Sequence, residues 1–194
     1  MRSTALRLLL ALALCVGFLA ACGNDDDANG NGNGNGNGDA NGESAVPADW
    51  ETYTDDATGF RFALPDRPEV VVEPVPLPEG GSLELTVYFV DLAGRALLIG
   101  FNPVPPSGFG FAEASDGAVE ALGGTLTDNS STTVEGHDAR DAEAVFVDEG
   151  EDGLALMRVL VIGDTAIQLQ TIGDADAEDE LRSLHDAMLA GFEY

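Results

Sequence analysis

The chain predicts an α+β domain, built as a mainly antiparallel sheet of about six to eight strands with two helices packed on it. Short runs of alternating apolar and polar residues, parted by hairpin-type turns such as Gly163-Asp164, call for strands that pair with their sequence neighbours. Helical spacing occurs at Phe111, Ala114, Ala118 and Leu122, and again at Leu181, Leu184, Met188 and Phe192. The resulting order is several strands, a helix, four strands and a helix, which suits hairpins rather than parallel crossovers.

Trp50 to Leu64 reads as two short strands around a turn at Asp55-Asp56-Ala57-Thr58-Gly59, and Pro65 ends the second. Glu69 to Val75 is rich in valine but bordered by Pro68, Pro74, Pro76 and Pro78, which fits a sheet edge or an extended arm. Leu83, Leu85, Val87 and Phe89 share one face of the next strand. A turn at Ala93-Gly94 leads into Ala96 to Phe101. After a Pro/Gly-rich connection comes the first helix, weakened by Gly117 and stopped at Gly123-Gly124.

Thr125 to Val134 is a polar run short of core residues, and Ala139 to Val147 ends in apolar Ala144-Val145-Phe146-Val147. An acidic loop, Asp148 to Gly153, is expected next. Leu154 to Ile162 is apolar on both faces apart from Arg158, so it belongs near the middle of the sheet. Thr165 to Ile172 alternates, with Ile167 and Leu169 opposite Gln168 and Gln170. The last helix begins among Asp174, Asp176, Glu178, Asp179 and Glu180, where the helix dipole favours negative charge.

Gly59-Phe60-Arg61-Phe62-Ala63-Leu64-Pro65 followed by Pro68 resembles the opening of small lipoprotein domains of the PsbP-like type. Leu184 through Phe192 is similar to their closing helix, and Gly123-Gly124 and Gly136 fall where such domains turn. The resemblance spans about residues 50–194. It implies an α/β/α sandwich and a non-catalytic binding or assembly role, and it brings no catalytic residues with it.

Ahead of that domain the N-terminus reads as an export signal over residues 1–21. Arg2 and Arg7 are followed by the uncharged run Leu8 to Leu19, which is shorter than the about 20 apolar residues a membrane-spanning helix needs. Leu19-Ala20-Ala21-Cys22 resembles the lipobox of bacterial lipoproteins. The resemblance implies cleavage before Cys22 and acylation of its thiol, which reacts as the thiolate. Cys15 leaves with the signal, so the mature chain keeps a single cysteine and forms no internal disulfide. Two or three acyl chains would anchor it firmly, whereas one would not.

Residues 22–46 are then a lipidated cysteine and a Gly/Asn/Asp-rich tether, too poor in apolar side chains to order itself. As a Gly-rich coil it would span roughly 25–30 Å on average. Asp25, Asp26 and Asp27 read as solvated charge rather than a calcium or sorting site. Residues 47–194 form a single globular domain of ordinary size.

The formal charge is −27, and all eight basic residues are arginine. Such acidity disfavours nucleic acid and anionic lipid surfaces as partners. A basic partner or bound cations would suit it, but a saline or GC-rich host, in which many surfaces are acidic, is the preferred reading because net charge speaks to solubility before activity.

Chemical motifs are sparse in the sequence. There is no G-x-S-x-G elbow, P-loop or dinucleotide fingerprint. The two histidines, His137 in a turn and His185 beside Asp186, both read as surface residues, and with no free thiol they do not make a zinc site. The acidic runs Asp148 to Asp152 and Asp174, Asp176, Glu178 are the calcium candidates. Neither fits an EF-hand, since Asp179 stands where that loop needs glycine. They read as a hairpin loop and a helix cap.

The expectation is therefore no catalytic, metal or cofactor residue and a single modification site, Cys22. The chain reads as a lipid-anchored module on the extracytoplasmic face of the cell membrane, holding an envelope protein partner through a non-enzymatic domain. The outer membrane is the alternative location in a diderm host. A carrier of an apolar ligand, motivated by Leu154–Ile162, and an envelope hydrolase, motivated only by abundant carboxylates, are the alternatives.

Overall fold

Strands whose side chains are apolar on both faces need cover on both sides, and this chain supplies it with one helix on each face of a sheet. The computed structural model describes residues 45–76, 81–104 and 108–194. The strands are β1 (Glu51–Thr54), β2 (Arg61–Leu64), β3 (Glu69–Pro76), β4 (Ser82–Asp91), β5 (Ala96–Pro103), β6 (Thr125–Val134), β7 (His137–Asp148), β8 (Glu151–Ile162), β9 (Thr165–Asp174) and β10 (Phe192–Glu193). Helix α1 spans Phe111–Ala121 and α2 spans Glu178–Ala190, the latter preceded by a 3-10 turn at Ala175–Ala177.

Two meanders make the main sheet. β3-β4-β5 and β6-β7-β8-β9 join where β5 pairs with β9, giving the all-antiparallel order β3-β4-β5-β9-β8-β7-β6. The proline-bordered β3 is indeed an edge, and apolar β8 is interior. A separate sheet, β1-β2-β10, lies against the α2 side.

The alternation of the strands sorts the core into two layers. On the α1 side, Leu85, Val87, Phe89, Leu98 and Met157 pack with Ala118, Val119, Ala142, Ala144 and Ala155. On the α2 side, Phe62, Tyr88, Leu97, Ile99, Phe101, Leu160, Ile167 and Leu169 pack with Met188 and Phe192. The apolar strand Leu154–Ile162 is spent on core: Ala155 and Met157 enter the α1 layer, Leu160 enters the α2 layer, and Leu154 and Leu156 pack with Leu181 of the second helix.

Three local expectations are corrected. The acidic loop expected over Asp148–Gly153 shrinks to the turn Glu149-Gly150, because the ladder runs on to the pair Asp148↔Glu151. Both turn residues have positive φ, 54° and 94°, the twist that lets a two-residue hairpin continue its strands. Phe192 is not on the last helix; that helix ends at Ala190, and Phe192 pairs with Phe62 as part of β10. Asp174 and Asp176 do not cap α2. The capping position is Ala177, with no side-chain bond, so the acids at Glu178, Asp179 and Glu180 act only through their charge.

Among the described residues, no helix is long and apolar enough to cross a membrane.

Candidate functional site

A polar cluster lies between α2 and the strands β7, β8 and β9. It is built by register. Asp141 on β7 stands opposite Arg158 on β8, and Glu143 stands two residues further along the same face. α2 then lays Arg182 and His185 over them.

Arg158 grips Asp141 with a two-pronged bond, Nε to Oδ1 at 2.6 Å and Nη2 to Oδ2 at 2.8 Å. The half-buried Tyr194 hydroxyl lies against the same guanidinium, and burial pushes its pKa up. Arg182 holds Glu143 in the same manner, at 2.8 and 2.7 Å, and donates through Nε to Glu178 one turn back on its own helix at 2.8 Å. The bonds to Arg182 draw the Glu143 pKa below its ordinary value, against the opposing pull of burial. A further ion pair, Arg95 with Glu180, fixes the start of α2 to the β4–β5 turn. Such forked pairs orient elements more than they stabilise them, because charge desolvation offsets much of the attraction.

His185 departs from the sequence expectation. It is 8% exposed rather than a surface residue, and its Nδ1 lies 3.1 Å from the Thr171 hydroxyl of β9. Loss of water lowers its pKa to about 4, and the nearby Arg158 and Arg182 charges push the same way against Asp141 and Glu143. The imidazole is therefore neutral at neutral pH.

A hydroxyl beside an imidazole is the pair that nucleophilic catalysis uses. Here Thr171 has no exposed surface at all. A substrate has no approach to it, and the pair serves to satisfy two buried polar groups in one bond.

A second polar site was hidden in what reads as a surface turn. Asp55 is 2% exposed and accepts bonds from the Thr58 backbone N–H at 2.8 Å, the Thr58 hydroxyl at 2.7 Å and the Tyr88 hydroxyl at 2.9 Å. Burial and the bond to Asp55 raise the Tyr88 pKa. The turn between β1 and β2 is thereby locked onto β4. Around it the rings of Phe62, Tyr88 and Phe101 meet at 4.7–5.9 Å between centroids.

The remaining sequence candidates do not converge. His137 opens β7 and is half-buried, on a different strand from Thr171, the partner of His185. Asp148 pairs with Glu151 and Asp152 with Val147 at the turn end of the β7–β8 ladder, while Asp174 ends β9. Among the described residues, no group of three or more His, Cys, Asp or Glu side chains is arranged to hold a metal ion. Cys22 and Asp25 to Asp27 lie outside the described residues.

No family model matches the chain, and no curated protein matches it. Among solved structures it is similar to CyanoP, the cyanobacterial PsbP of Synechocystis sp. PCC 6803. The TM-score is 0.54 at 16% identity, covering 75% of this chain and 92% of CyanoP. The domain has a PsbP-like fold.

The chain is also similar to PA94 from Pseudomonas aeruginosa, with TM-score 0.39 and 14% identity, covering 72% of this chain and 93% of that one. LpqN of Mycobacterium tuberculosis, involved in cell envelope biogenesis, gives 0.40 and 15%, covering 74% and 76%. Neither of these two adds to the assignment, which concerns fold alone. Within the PsbP-like fold, the seven-stranded sheet with α1 on one face and α2 on the other is the α/β/α arrangement that the sequence resemblance implies.

Proposed function

We propose that this chain is a lipid-anchored extracytoplasmic protein whose PsbP-like domain is a non-enzymatic binding or assembly module. Cys22 is the anchor, residues 23–46 are the tether, and residues 47–194 meet an envelope protein. The observation that supports a non-enzymatic reading most directly is the sealed His185–Thr171 pair. The imidazole–hydroxyl contact found among the described residues is buried among Arg158, Arg182, Asp141 and Glu143, and those four charges neutralise one another. The lipobox-like Leu19-Ala20-Ala21-Cys22 supports the anchor, and a flexible tether suits a binding module because it raises the local concentration of the domain near membrane partners.

Photo-crosslinking in cells tests the reading. The module reading expects one defined envelope protein to be trapped reproducibly, and trapping it should require membrane retention through Cys22. A spread of random neighbours would contradict it.

A further inference from the structure

The two edges of the main sheet are finished differently. An unpaired edge presents a row of backbone N–H and C=O groups, and proteins blunt such edges with proline, charge, bulges or short strands. β3 carries Pro74 and Pro76, with Pro68 just before it, so its outer row loses the donors at those two positions. β6 at the opposite edge is ten residues long and contains no proline. Its single irregularity lies between Leu126 and Asp128, leaving Asn129 to Val134 in regular register with β7.

That stretch, Asn-Ser-Ser-Thr-Thr-Val, is uncharged and rich in hydroxyls. The hairpin closes through Glu135 and Gly136, whose φ values of 50° and 86° make a two-residue turn that closes on a hydrogen-bonded Val134–His137 pair. Alternation along an antiparallel ladder then turns the N–H and C=O groups of Asn129, Ser131 and Thr133 outward. Acidic residues flank the open row: exposed Asp128 at one end, exposed Glu135 and Asp138 at the other.

We propose that β6 is a strand-addition site that takes an extended, basic segment of a partner protein as an eighth strand. Backbone bonds to Asn129, Ser131 and Thr133 would supply the pairing, and alternate side chains the specificity. Charge selects the occupant: a chain of formal charge −27 repels a second copy and attracts a lysine- or arginine-bearing strand. This inference rests on the binding-module reading and gives it a surface.

The probe is a capped, fluorescent peptide Lys-Thr-Val-Thr-Val-Thr-Lys, titrated against the full chain purified from membranes in detergent. Binding should protect the 125–134 amides from hydrogen exchange. Ser131→Pro, which removes an outward N–H and no ladder bond, should weaken binding at least tenfold with an unchanged Tm. Thr133→Arg should weaken it too, and covers the case in which the proline variant fails to fold.

Equal affinity in both variants, protection elsewhere, or equal binding of a Ser-for-Lys peptide would overturn the inference. So would a dimer, seen by sedimentation, that Ser131→Pro abolishes. If the partner crosslinked in cells is trapped undiminished by Ser131→Pro, the edge is refuted while the module reading survives. If no defined partner is trapped at all, the module reading fails with it.

Discussion

The two faces of the main sheet are covered with opposite materials. On the α2 side the core is large and aromatic, with Phe62, Tyr88, Phe101 and Phe192 meeting ring to ring, and the helix is pinned at its polar margin by the pairs Arg182–Glu143 and Arg95–Glu180. On the α1 side the helix itself contributes small residues, above a sheet layer that also holds Leu85, Phe89, Leu98 and Met157. Ala118 and Val119 of the helix meet Ala142, Ala144 and Ala155 of the sheet, and Gly117 and Ser115 are buried beside them. One face is therefore sensitive to what is removed and the other to what is added.

Truncating the aromatic layer should produce the largest effect. Phe62 is fully buried between the two sheets, and Phe62→Ala should cost about 3–5 kcal/mol in urea denaturation. A loss below about 1 kcal/mol would mean that the small sheet is not integral to the core.

The next effect is set by pH. His185 has a folded-state pKa near 4 against an ordinary value of 6.5, so between these values the unfolded chain binds the extra proton. Stability should be fully present above about pH 6.5 and fall by roughly 3 kcal/mol toward pH 4 from this residue alone. Glu143, with its lowered pKa, adds acid sensitivity of its own, so the comparison must be with His185→Gln. That variant should show a flatter stability curve between pH 6.5 and 4; an unchanged slope would remove the buried imidazole as its cause.

The α1 face should respond to enlargement. Ala155 has no exposed surface, and Ala155→Leu should destabilise by about 1–3 kcal/mol through overpacking, although it adds apolar area. A stabilised variant would show that the helix does not sit tightly on the alanine patch. Smallest is the clamp itself. The Arg182 side chain is 42% exposed, so solvent screening leaves about 0.5–1 kcal/mol for Arg182→Ala, shrinking further in high salt.

Much of this architecture was legible because it is local. Alternation placed the strands, Pro68, Pro74 and Pro76 marked β3 as an edge, and the two-sided apolar run of Leu154–Ile162 marked an interior strand. What was not legible is long-range. Nothing near Phe192 announces that it pairs with Phe62 across the chain, and nothing in an Asp-Asp-Ala-Thr-Gly turn announces that Asp55 is buried under Tyr88.

His185 is the instructive miss. Its spacing from Leu181 and Met188, four residues on and three residues back, is itself helical, and the buried stripe runs Leu181, His185, Ala187 and Met188 rather than through Leu184. A polar residue on that stripe signals a buried partner, but the partner is Thr171 on another element, which helix periodicity cannot supply. The proposed anchor is the reverse case: Cys22 is expected from its sequence neighbours alone and lies outside the described residues.

The central claim, a domain tethered to the membrane through Cys22, is tested most directly by the denatured intact mass of the protein extracted from its own membranes. The account predicts a chain that has lost residues 1–21 and carries acyl groups on Cys22, with Cys22→Ser releasing the protein or leaving it unprocessed. A mass equal to the full 194 residues, or to an unmodified chain beginning at Cys22, would contradict it.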